Sequence, residues 1–248
     1  MSRYRAIIFS IPAIALLTIL MATVSIACSL RDTGGNAQHR IARLWSHLLL
    51  ALGFVRCRAF GIEKLDPQKS YVLVSNHASY LDTPAIVGSL PLQFRFFAKI
   101  DLFSIPFLGW HLTRAGHIPV IRGDARASLK SMSEGAKMMR ERGISLLLFP
   151  EGGRVPAGMR PFKEGAAYIA IKGGVPVVPI GLKNTRELLP MHSLVIRPGT
   201  LEVHVGDPIP TAHLTLRDRG SLNELLERKV AELAEEKFPS PEMAETAD

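Results

Sequence analysis

Residues 71–82 read YVLVSNHASYLD, an apolar run that passes directly into a polar segment with a histidine and an aspartate. A run such as YVLVS is typical of a β-strand covered on both faces, and α/β folds carry reactive groups at the carboxyl ends of such strands. There His77 could accept a proton from a hydroxyl, while Asp82 holds the other ring nitrogen and stabilises the imidazolium. The same spacing recurs at His213 and Asp218 without a preceding strand, and we assign that pair no role.

Short apolar runs alternate with helical stretches after the first sixty residues. Asp124 can cap a helix over residues 124–142, and Ser221 with Glu224 has the spacing of a capping box for a last helix. This alternation predicts an α/β domain with a largely parallel sheet flanked by helices. The further candidate strands are residues 94–98, 117–121, 144–149, 175–182 and 201–205.

The composition excludes several classes of protein. The 248 residues are 47% hydrophobic and 21% charged, which excludes a disordered chain. Two cysteines are too few for a disulfide scaffold or a cysteine-rich metal site, and the eight histidines lack the H-E-x-x-H spacing of a metal hydrolase. We therefore expect no metal.

The positive charge is concentrated near the amino terminus. Seven arginines and one aspartate in residues 1–60 supply most of the net charge of +8. A nucleic-acid-binding protein more often carries its basic stripe on the folded domain, whereas arginines beside an apolar segment meet anionic lipid headgroups. We expect a membrane bilayer and no nucleic acid as partner; ordinary solvated arginines are the alternative.

Residues 6–30 contain no charged residue, and as a helix they would extend roughly 37 Å, more than the ~30 Å hydrocarbon core of a bilayer. This segment can span or lie deep in the membrane. A cleaved signal peptide is the alternative, but its apolar core is shorter. Residues 44–55 (LWSHLLLALGFV) are too short to span, so we expect them at the interface, with a buried core helix as the alternative. The expected parts are a two-helix membrane-associated segment (residues 1–58), the α/β domain (residues 59–238) and a disordered tail (residues 239–248).

A second motif, FPEGGR at residues 149–154, follows another predicted strand, and its proline and glycines form a rigid turn. Arg154 has the planar fork that binds phosphate with two donors, and Glu151 would suit a substrate hydroxyl, because a carboxylate repels phosphate. Lys99 and Arg122 end two further strands. They lie on the same rim if those strands run parallel to YVLVS. The alternatives are an exposed ion pair in the turn and solvated charges on the strands.

Four blocks in this order resemble the glycerolipid acyltransferases, and specifically the 1-acylglycerol-3-phosphate (lysophosphatidic acid) acyltransferases. The joint match is specific, although no single block is, and it covers roughly residues 60–210. Gly153 departs from the family pattern, which usually has Thr or Ser, and Asp101 replaces a more familiar Glu. The blocks are NHASYLD (residues 76–82), GHIPVIR (116–122), FPEGGR (149–154) and VPVVPI (175–180).

This resemblance implies transfer of a fatty acyl group from acyl-CoA or acyl carrier protein to the hydroxyl of a lysophospholipid, which gives phosphatidic acid in phospholipid biosynthesis without a cofactor. It implies His77 as general base and Asp82 as its orienting partner. Gly153 leaves glycerol-3-phosphate or another lysolipid as an alternative acceptor. We expect a membrane-anchored enzyme with its catalytic domain in the cytoplasm and assign no oligomeric state. The expected substrate-binding residues are Glu151, Gly152, Arg154, Arg122 and Lys99.

Two other classes of function remain alternatives. A lipid hydrolase could use Ser79 as nucleophile with His77 and Asp82, but the chain has no G-x-S-x-G elbow, and Ser79 is only two residues from His77. A membrane-tethered lipid-binding protein without activity is the second, and the complete set of candidate residues argues against it.

Overall fold

The computed structural model describes residues 6–121 and 125–236, in which strands and helices alternate. The strands are β1 (Val55–Phe60), β2 (Val72–Ser75), β3 (Phe94–Lys99), β4 (Ile118–Val120), β5 (Ser145–Leu148), β6 (Val177–Lys183) and β7 (Gly199–Val205). The helices are α1 (Ile11–Cys28), α2 (Asn36–Leu52), α3 (Asp82–Ser89), α4 (Leu108–Ala115), α5 (Ala125–Arg142), α6 (Gly165–Gly173), α7 (Thr185–Leu188) and α8 (Arg219–Ala234). Short helical turns lie at Ala6–Ser10, Ile62–Lys64, Ile100–Ser104 and Leu216–Asp218.

The strands form one sheet in the order β1-β7-β6-β2-β5-β3-β4. Neighbouring strands are parallel except for β6 and β7. The YVLVS strand, β2, lies at the centre with Val72, Leu73 and Val74 fully buried. Because β2, β5, β3 and β4 run in the same direction, their carboxyl ends share one edge of the sheet. The predicted largely parallel α/β fold is confirmed.

The edge strand β1 has no counterpart among the predicted strands. It pairs in parallel with β7, and its residues alternate between buried or half-buried and exposed positions. Arg56 and Arg58 lie at exposed positions of this alternation, so the sequence shows a basic stretch and not an apolar run. The expected boundary at residue 58 falls inside β1.

The last helix begins earlier than its predicted cap. α8 starts at Arg219, just after a capping box in which Thr215 and Asp218 bond reciprocally. Ser221 lies inside the helix, and its hydroxyl donates to the Asp218 carbonyl. The predicted capping box of Ser221 with Glu224 is therefore wrong, because Thr215 and Asp218, six residues earlier in the chain, form the capping box instead. Asp124, the expected cap of α5, and residues 239–248 lie outside the described residues.

Helices cover both faces of the sheet. On one face α2 and α3 pack through buried residues such as Leu50 and Ile86, and α1 adds the half-buried Leu17. On the other face α5, α6 and α8 pack through buried residues such as Ile169 and Leu226. The sheet is thus enclosed in two hydrophobic cores, which leaves its carboxyl edge as the place for polar groups.

A buried arginine ties the two N-terminal helices to the sheet. Arg95 on β3 is 1% exposed, and its guanidinium donates to the Gly34 carbonyl at 2.8 Å and to Asn36 Oδ1 at 3.2 Å. Burial lowers the pKa of Arg95 to about 10, so the side chain stays cationic at neutral pH. Gly35, at φ 81°, approaches the domain so closely that a Cβ would lie 2.4 Å from the Ala115 carbonyl oxygen. The turn between α1 and α2 is therefore part of the folded domain.

Helix α2 is both a core helix and an apolar surface. Leu49 and Leu50 are buried, while Arg43 donates to the carbonyls of Val87 and Leu92. This packing agrees with the buried core helix that the sequence left as an alternative. Its contact with a membrane stays a prediction, supported by three exposed side chains: Leu44, Leu48 and Leu52.

Among the described residues, Ile8–Cys28 is the one helical stretch long and apolar enough to cross a membrane, with a mean hydropathy of 2.3. Leu16 and Leu20 on it are 68% and 53% exposed. Ordinary soluble helices bury such residues, so this surface is consistent with a lipid environment.

We expect Arg95→Met to lower the free energy of unfolding by about 2 kcal/mol, because the half-buried Gly34 carbonyl and the Asn36 side chain lose a charged donor. Thermal and urea unfolding in detergent micelles would measure the loss. The matched control is Arg140→Met, since the exposed Arg140 donates to the Lys172 carbonyl at 2.8 Å. We expect the control to cost less than about 1 kcal/mol. Equal losses in the two variants would contradict the anchoring role of Arg95.

Candidate active site

A histidine and an aspartate meet just beyond the carboxyl end of β2. His77 Nδ1 lies 2.8 Å from Asp82 Oδ2, and the same oxygen accepts the backbone N–H groups of Ala78 and Ser79 at 2.7 and 2.8 Å. Asp82 is fully buried and is the first residue of α3, where a helix N-terminus favours negative charge. Because the carboxylate only accepts, the shared hydrogen lies on Nδ1, and Nε2 is the basic nitrogen.

The imidazole of His77 is held from a second side by Phe149, the residue that follows β5. Its ring stacks on Phe149, with centroids 4.2 Å apart and planes 18° apart. The side chain keeps 19% exposure and lines a cavity. The ring is therefore oriented by a carboxylate and an aromatic face while its reactive edge remains accessible.

Glu151 holds the backbone of the site together. Its Oε1 accepts the His77 N–H at 2.6 Å, and its Oε2 accepts the Arg160 N–H at 2.8 Å. The residue is 3% exposed and is not among the residues that line the cavity. Burial raises the pKa of Glu151 to about 7, although the two amide hydrogen bonds act in the opposite direction. The expected contact with a substrate hydroxyl is therefore wrong for this conformation, because the carboxyl group is buried outside the cavity lining and is bonded to main-chain donors.

The cavity at this edge of the sheet has a volume of about 810 Å³. Its wall is mainly apolar and is formed by α1, α2, α4 and the ends of the parallel strands. A cavity of this size and polarity is typical of a site for a small molecule or a lipid chain. Representative wall residues are Met21, Ala22, Ala42, Trp45, Phe96 and Leu112.

Cationic side chains line the same cavity as His77. The guanidinium of Arg154 lies 3.4 Å from the centre of the Tyr80 ring, and its Nη1 is buried without a hydrogen-bond partner among the described residues. Lys99 also lines the cavity and forms an ion pair with Asp101. An orphaned buried donor in such a place is suited to an anionic ligand.

The glycine turn brings further positive charge to the cavity. Gly152 has φ 71°, and a Cβ there would lie 3.3 Å from Nζ of Lys163. The Lys163 N–H donates to the Pro150 carbonyl, so the chain after the turn folds back against it. Arg160 and Lys163, which were not among the residues predicted from the sequence, also line the cavity. Their signal was the basic pair in RPFK soon after FPEGGR, but spacing alone did not show that the chain returns to the site.

The remaining predicted residues have different outcomes. Arg122 lies outside the described residues. Ser79 is 1% exposed, and its hydroxyl donates to the Leu189 carbonyl at 2.9 Å. This hydroxyl therefore bonds to the main chain and not to His77, which does not fit the serine nucleophile of the hydrolase alternative.

Comparison with known proteins assigns the chain to a family. The model of the acyltransferase family matches residues 56–183, a range that includes the His77–Asp82 pair and the glycine turn. The chain belongs to the acyltransferase family. The family match ends at Lys183, the last residue of β6, so it covers the central parallel strands of the sheet.

Several relatives are named 1-acyl-sn-glycerol-3-phosphate acyltransferases. The chloroplastic protein BAT2 of Brassica napus is 36% identical over 174 residues, which are 69% of this chain and 50% of that protein. The protein of Pseudomonas aeruginosa strain PAO1 is 30% identical over 187 residues, which are 75% of this chain and 71% of that protein. The Saccharomyces cerevisiae protein is 29% identical over 90% of this chain and 74% of its own length. The chain spans about half the length of the plant and algal relatives it matches.

The fold is similar to the crystal structure of the 1-acyl-sn-glycerophosphate (LPA) acyltransferase PlsC from Thermotoga maritima. The TM-score is 0.72 at 23% identity, and the match covers 92% of this chain and 97% of that one. The likeness extends to the fold of nearly the whole chain.

The buried carboxyl of Glu151 predicts a pH dependence of stability. Because its pKa is raised from 4.5 to about 7, the folded protein binds this proton more tightly than the unfolded chain does. Stability is therefore highest below the unfolded pKa and is lost as the pH rises through 7, by up to about 3 kcal/mol. The advantage of the unchanged chain over Glu151→Gln should accordingly shrink between pH 5 and pH 8, as measured by urea unfolding.

The exposed Glu63 provides the control, because Glu63→Gln should show the same difference from the unchanged chain at both pH values. A Glu151→Gln difference that is independent of pH would contradict the raised pKa.

Proposed function

We propose that this protein transfers a fatty acyl group from an acyl thioester to the free hydroxyl of 1-acylglycerol-3-phosphate, which gives phosphatidic acid. The observation that carries the proposal is the hydrogen-bonded pair of His77 and Asp82 in a large apolar cavity that also contains cationic side chains. The names of the relatives support the same acceptor. The donor is acyl-CoA or acyl carrier protein, since both present the same thioester.

In the proposed reaction His77 is the general base. Its Nε2 takes the proton of the acceptor hydroxyl while that oxygen attacks the thioester carbonyl carbon. The carbon–sulfur bond then breaks, and the leaving thiolate takes the proton from the imidazolium. Asp82 fixes the tautomer and stabilises the imidazolium, as its contact with Nδ1 supports. General-base assistance of this kind contributes typically ~10²–10⁴ in rate.

The carboxylate of Glu151 acts through His77 and not on the substrate. It binds the His77 N–H and the Arg160 N–H, so it holds the base and a cationic residue in fixed relative positions. The amides of Ala78 and Ser79 are likewise committed to Asp82. Stabilisation of the oxyanion therefore has to come from donors outside residues 77–79.

The acceptor phosphate binds to the cationic side of the cavity. Arg154 is the principal ligand in this proposal, because its buried Nη1 offers a donor that the described residues leave unused. Arg160, Lys163 and Lys99 add positive charge in the same wall, and Gly152 permits a close approach of the backbone. Arg122 is retained as a phosphate ligand from the sequence pattern. Stacking on Tyr80 keeps the Arg154 guanidinium ordered.

The apolar walls and the exposed α1 helix support a membrane location. Acyl chains are held among the apolar residues of α1 and α2, and α1 anchors the protein in the bilayer. The arginines that follow α1, such as Arg31 and Arg40, favour a cytoplasmic location for the catalytic domain. Arg43 does not add to this positive charge at the membrane surface, because its guanidinium donates to main-chain carbonyls inside the fold.

We expect His77→Ala to lower kcat for acyl transfer by at least about 10²-fold while the protein still folds and binds vesicles. The loss follows from removal of the base, and a coupled assay for the released thiol would measure it. His213→Ala is the matched control, since His213 has the same spacing to an aspartate but lies away from the cavity lining. Near-normal turnover of His77→Ala would contradict the mechanism.

We expect Arg154→Ala to raise the KM for lysophosphatidate about tenfold or more, because a charged donor to phosphate is lost. The KM is measured with three acceptors: lysophosphatidate, glycerol-3-phosphate and a lysolipid without a phosphomonoester. Preference for glycerol-3-phosphate would redirect the proposal to that acceptor. The control Arg228→Ala removes an exposed arginine of α8, and its KM should be unchanged. An unchanged KM in Arg154→Ala would contradict phosphate recognition by this residue.

A further inference from the structure

Residues 100–110 (IDLFSIPFLGW), which we call the 100–110 segment, form an exposed apolar surface outside α1 and α2. A folded domain rarely exposes so many large apolar side chains in one short segment unless the surface contacts a partner or a membrane. Leu102 of this segment also lines the cavity, as does Leu108. The large exposed side chains are Ile100, Leu102, Ile105, Phe107 and Trp110, with exposures of 39%, 38%, 45%, 38% and 59%.

The segment is fixed beside the carboxyl-terminal end of α1. His111, the residue after Trp110, has its Nδ1 2.6 Å from Oγ of Ser25 on α1. Ser25 lies three residues before the end of α1 at Cys28, which is about 5 Å along the helix. The chain becomes polar at Arg31 soon afterwards. Trp110 is therefore next to the level at which the apolar helix gives way to polar residues.

The side chains at this level have the chemistry of a membrane interface. Trp110 packs edge-on against Phe107, with centroids 5.6 Å apart, and Arg114 is exposed one turn further along α4. Tryptophan with a neighbouring arginine is enriched where a protein meets lipid headgroups. Phe107 also adopts φ 62°, an unfavourable conformation for a bulky residue, and it is held at the surface in that conformation.

We propose that the 100–110 segment inserts into the headgroup and upper acyl region of the bilayer that holds α1. This rests on the membrane location of α1 under the proposed function. The surface is continuous with α1 through the Ser25–His111 contact, and a bilayer with anionic lipid matches both its apolar side chains and Arg114. Because Leu102 and Leu108 belong to the cavity wall, a lipid substrate could reach the cavity from the bilayer along this segment without crossing water.

Tryptophan fluorescence tests the proposal, since the chain has only two tryptophans. In Trp45→Phe, Trp110 is the single fluorophore. In vesicles of phosphatidylcholine with phosphatidylglycerol, we expect its emission to be blue-shifted and reduced about twofold by lipids brominated in the upper acyl chain. As a second measurement, the emission spectrum of Trp110→Phe is subtracted from that of the unchanged chain, which gives the Trp110 signal with Trp45 in place. The result therefore does not depend on how well Trp45→Phe folds.

A probe on the opposite face gives the matched control. Leu216 is 43% exposed and precedes α8, which packs on the face of the sheet away from α2. In a chain with both native tryptophans replaced by Phe, Leu216→Trp should show no lipid quenching. Ile105→Ser with Phe107→Ser should lower the quenching of Trp110 about twofold while α1 keeps the protein on vesicles.

Three results would overturn the proposal. One is a water-like, unquenched Trp110 in protein that still sediments with vesicles, which would leave the anchoring by α1 intact. A blue shift that depends on protein concentration and not on lipid would assign the surface to a second copy of the chain. Failure of the full chain to bind vesicles would remove both membrane contacts. Acyl transfer in detergent micelles is measured separately, so the proposed reaction and this surface can fail independently.

Discussion

The site depends on two buried carboxylates that gather main-chain donors. Oδ2 of Asp82 accepts the His77 ring and the amides of Ala78 and Ser79, while Glu151 joins the His77 amide to that of Arg160. Each carboxylate is costly to bury, and the hydrogen bonds from several main-chain donors offset part of that cost. The loops after β2 and β5 therefore cannot shift independently. The position of the imidazole is a property of both loops together.

The largely parallel sheet and the meeting of His77 with Asp82 could be predicted, because both follow from local pattern. A near-continuous apolar run indicates a central strand, and a five-residue spacing at its carboxyl end needs no distant partner. The orientation of Glu151 could not be predicted in this way. It is determined by the N–H groups of His77 and Arg160, and the approach of these two segments to Glu151 is a tertiary contact that no local spacing predicts.

In the N-terminal region, too, the local pattern could be predicted but the tertiary contact could not. Its apolar composition predicted a separate helical segment, yet Arg95, 59 residues from Asn36 along the chain, anchors the turn between α1 and α2 to β3. From the sequence alone, Arg95 in FRFFAK is expected on the exposed face of a strand. Its burial could not be predicted, because burial of a guanidinium depends on acceptors elsewhere in the chain. Edge strand β1 was not predicted either. It is only six residues long, and its two arginines lie at exposed positions of its alternating pattern.

The reversal of direction between β6 and β7 divides the loops of the domain into two groups. The segments that follow β1 and β7 leave the sheet at the border farthest from His77, whereas those after β2, β3, β4 and β5 all converge near it. Length changes should therefore disturb the chemistry least on this border, at exposed positions beyond the close contacts of Gly61 with the Val205 carbonyl and of Gly206 with Pro179. Sequence changes at such positions lie on the opposite border of the sheet from His77 and Asp82, so they leave the catalytic pair in place.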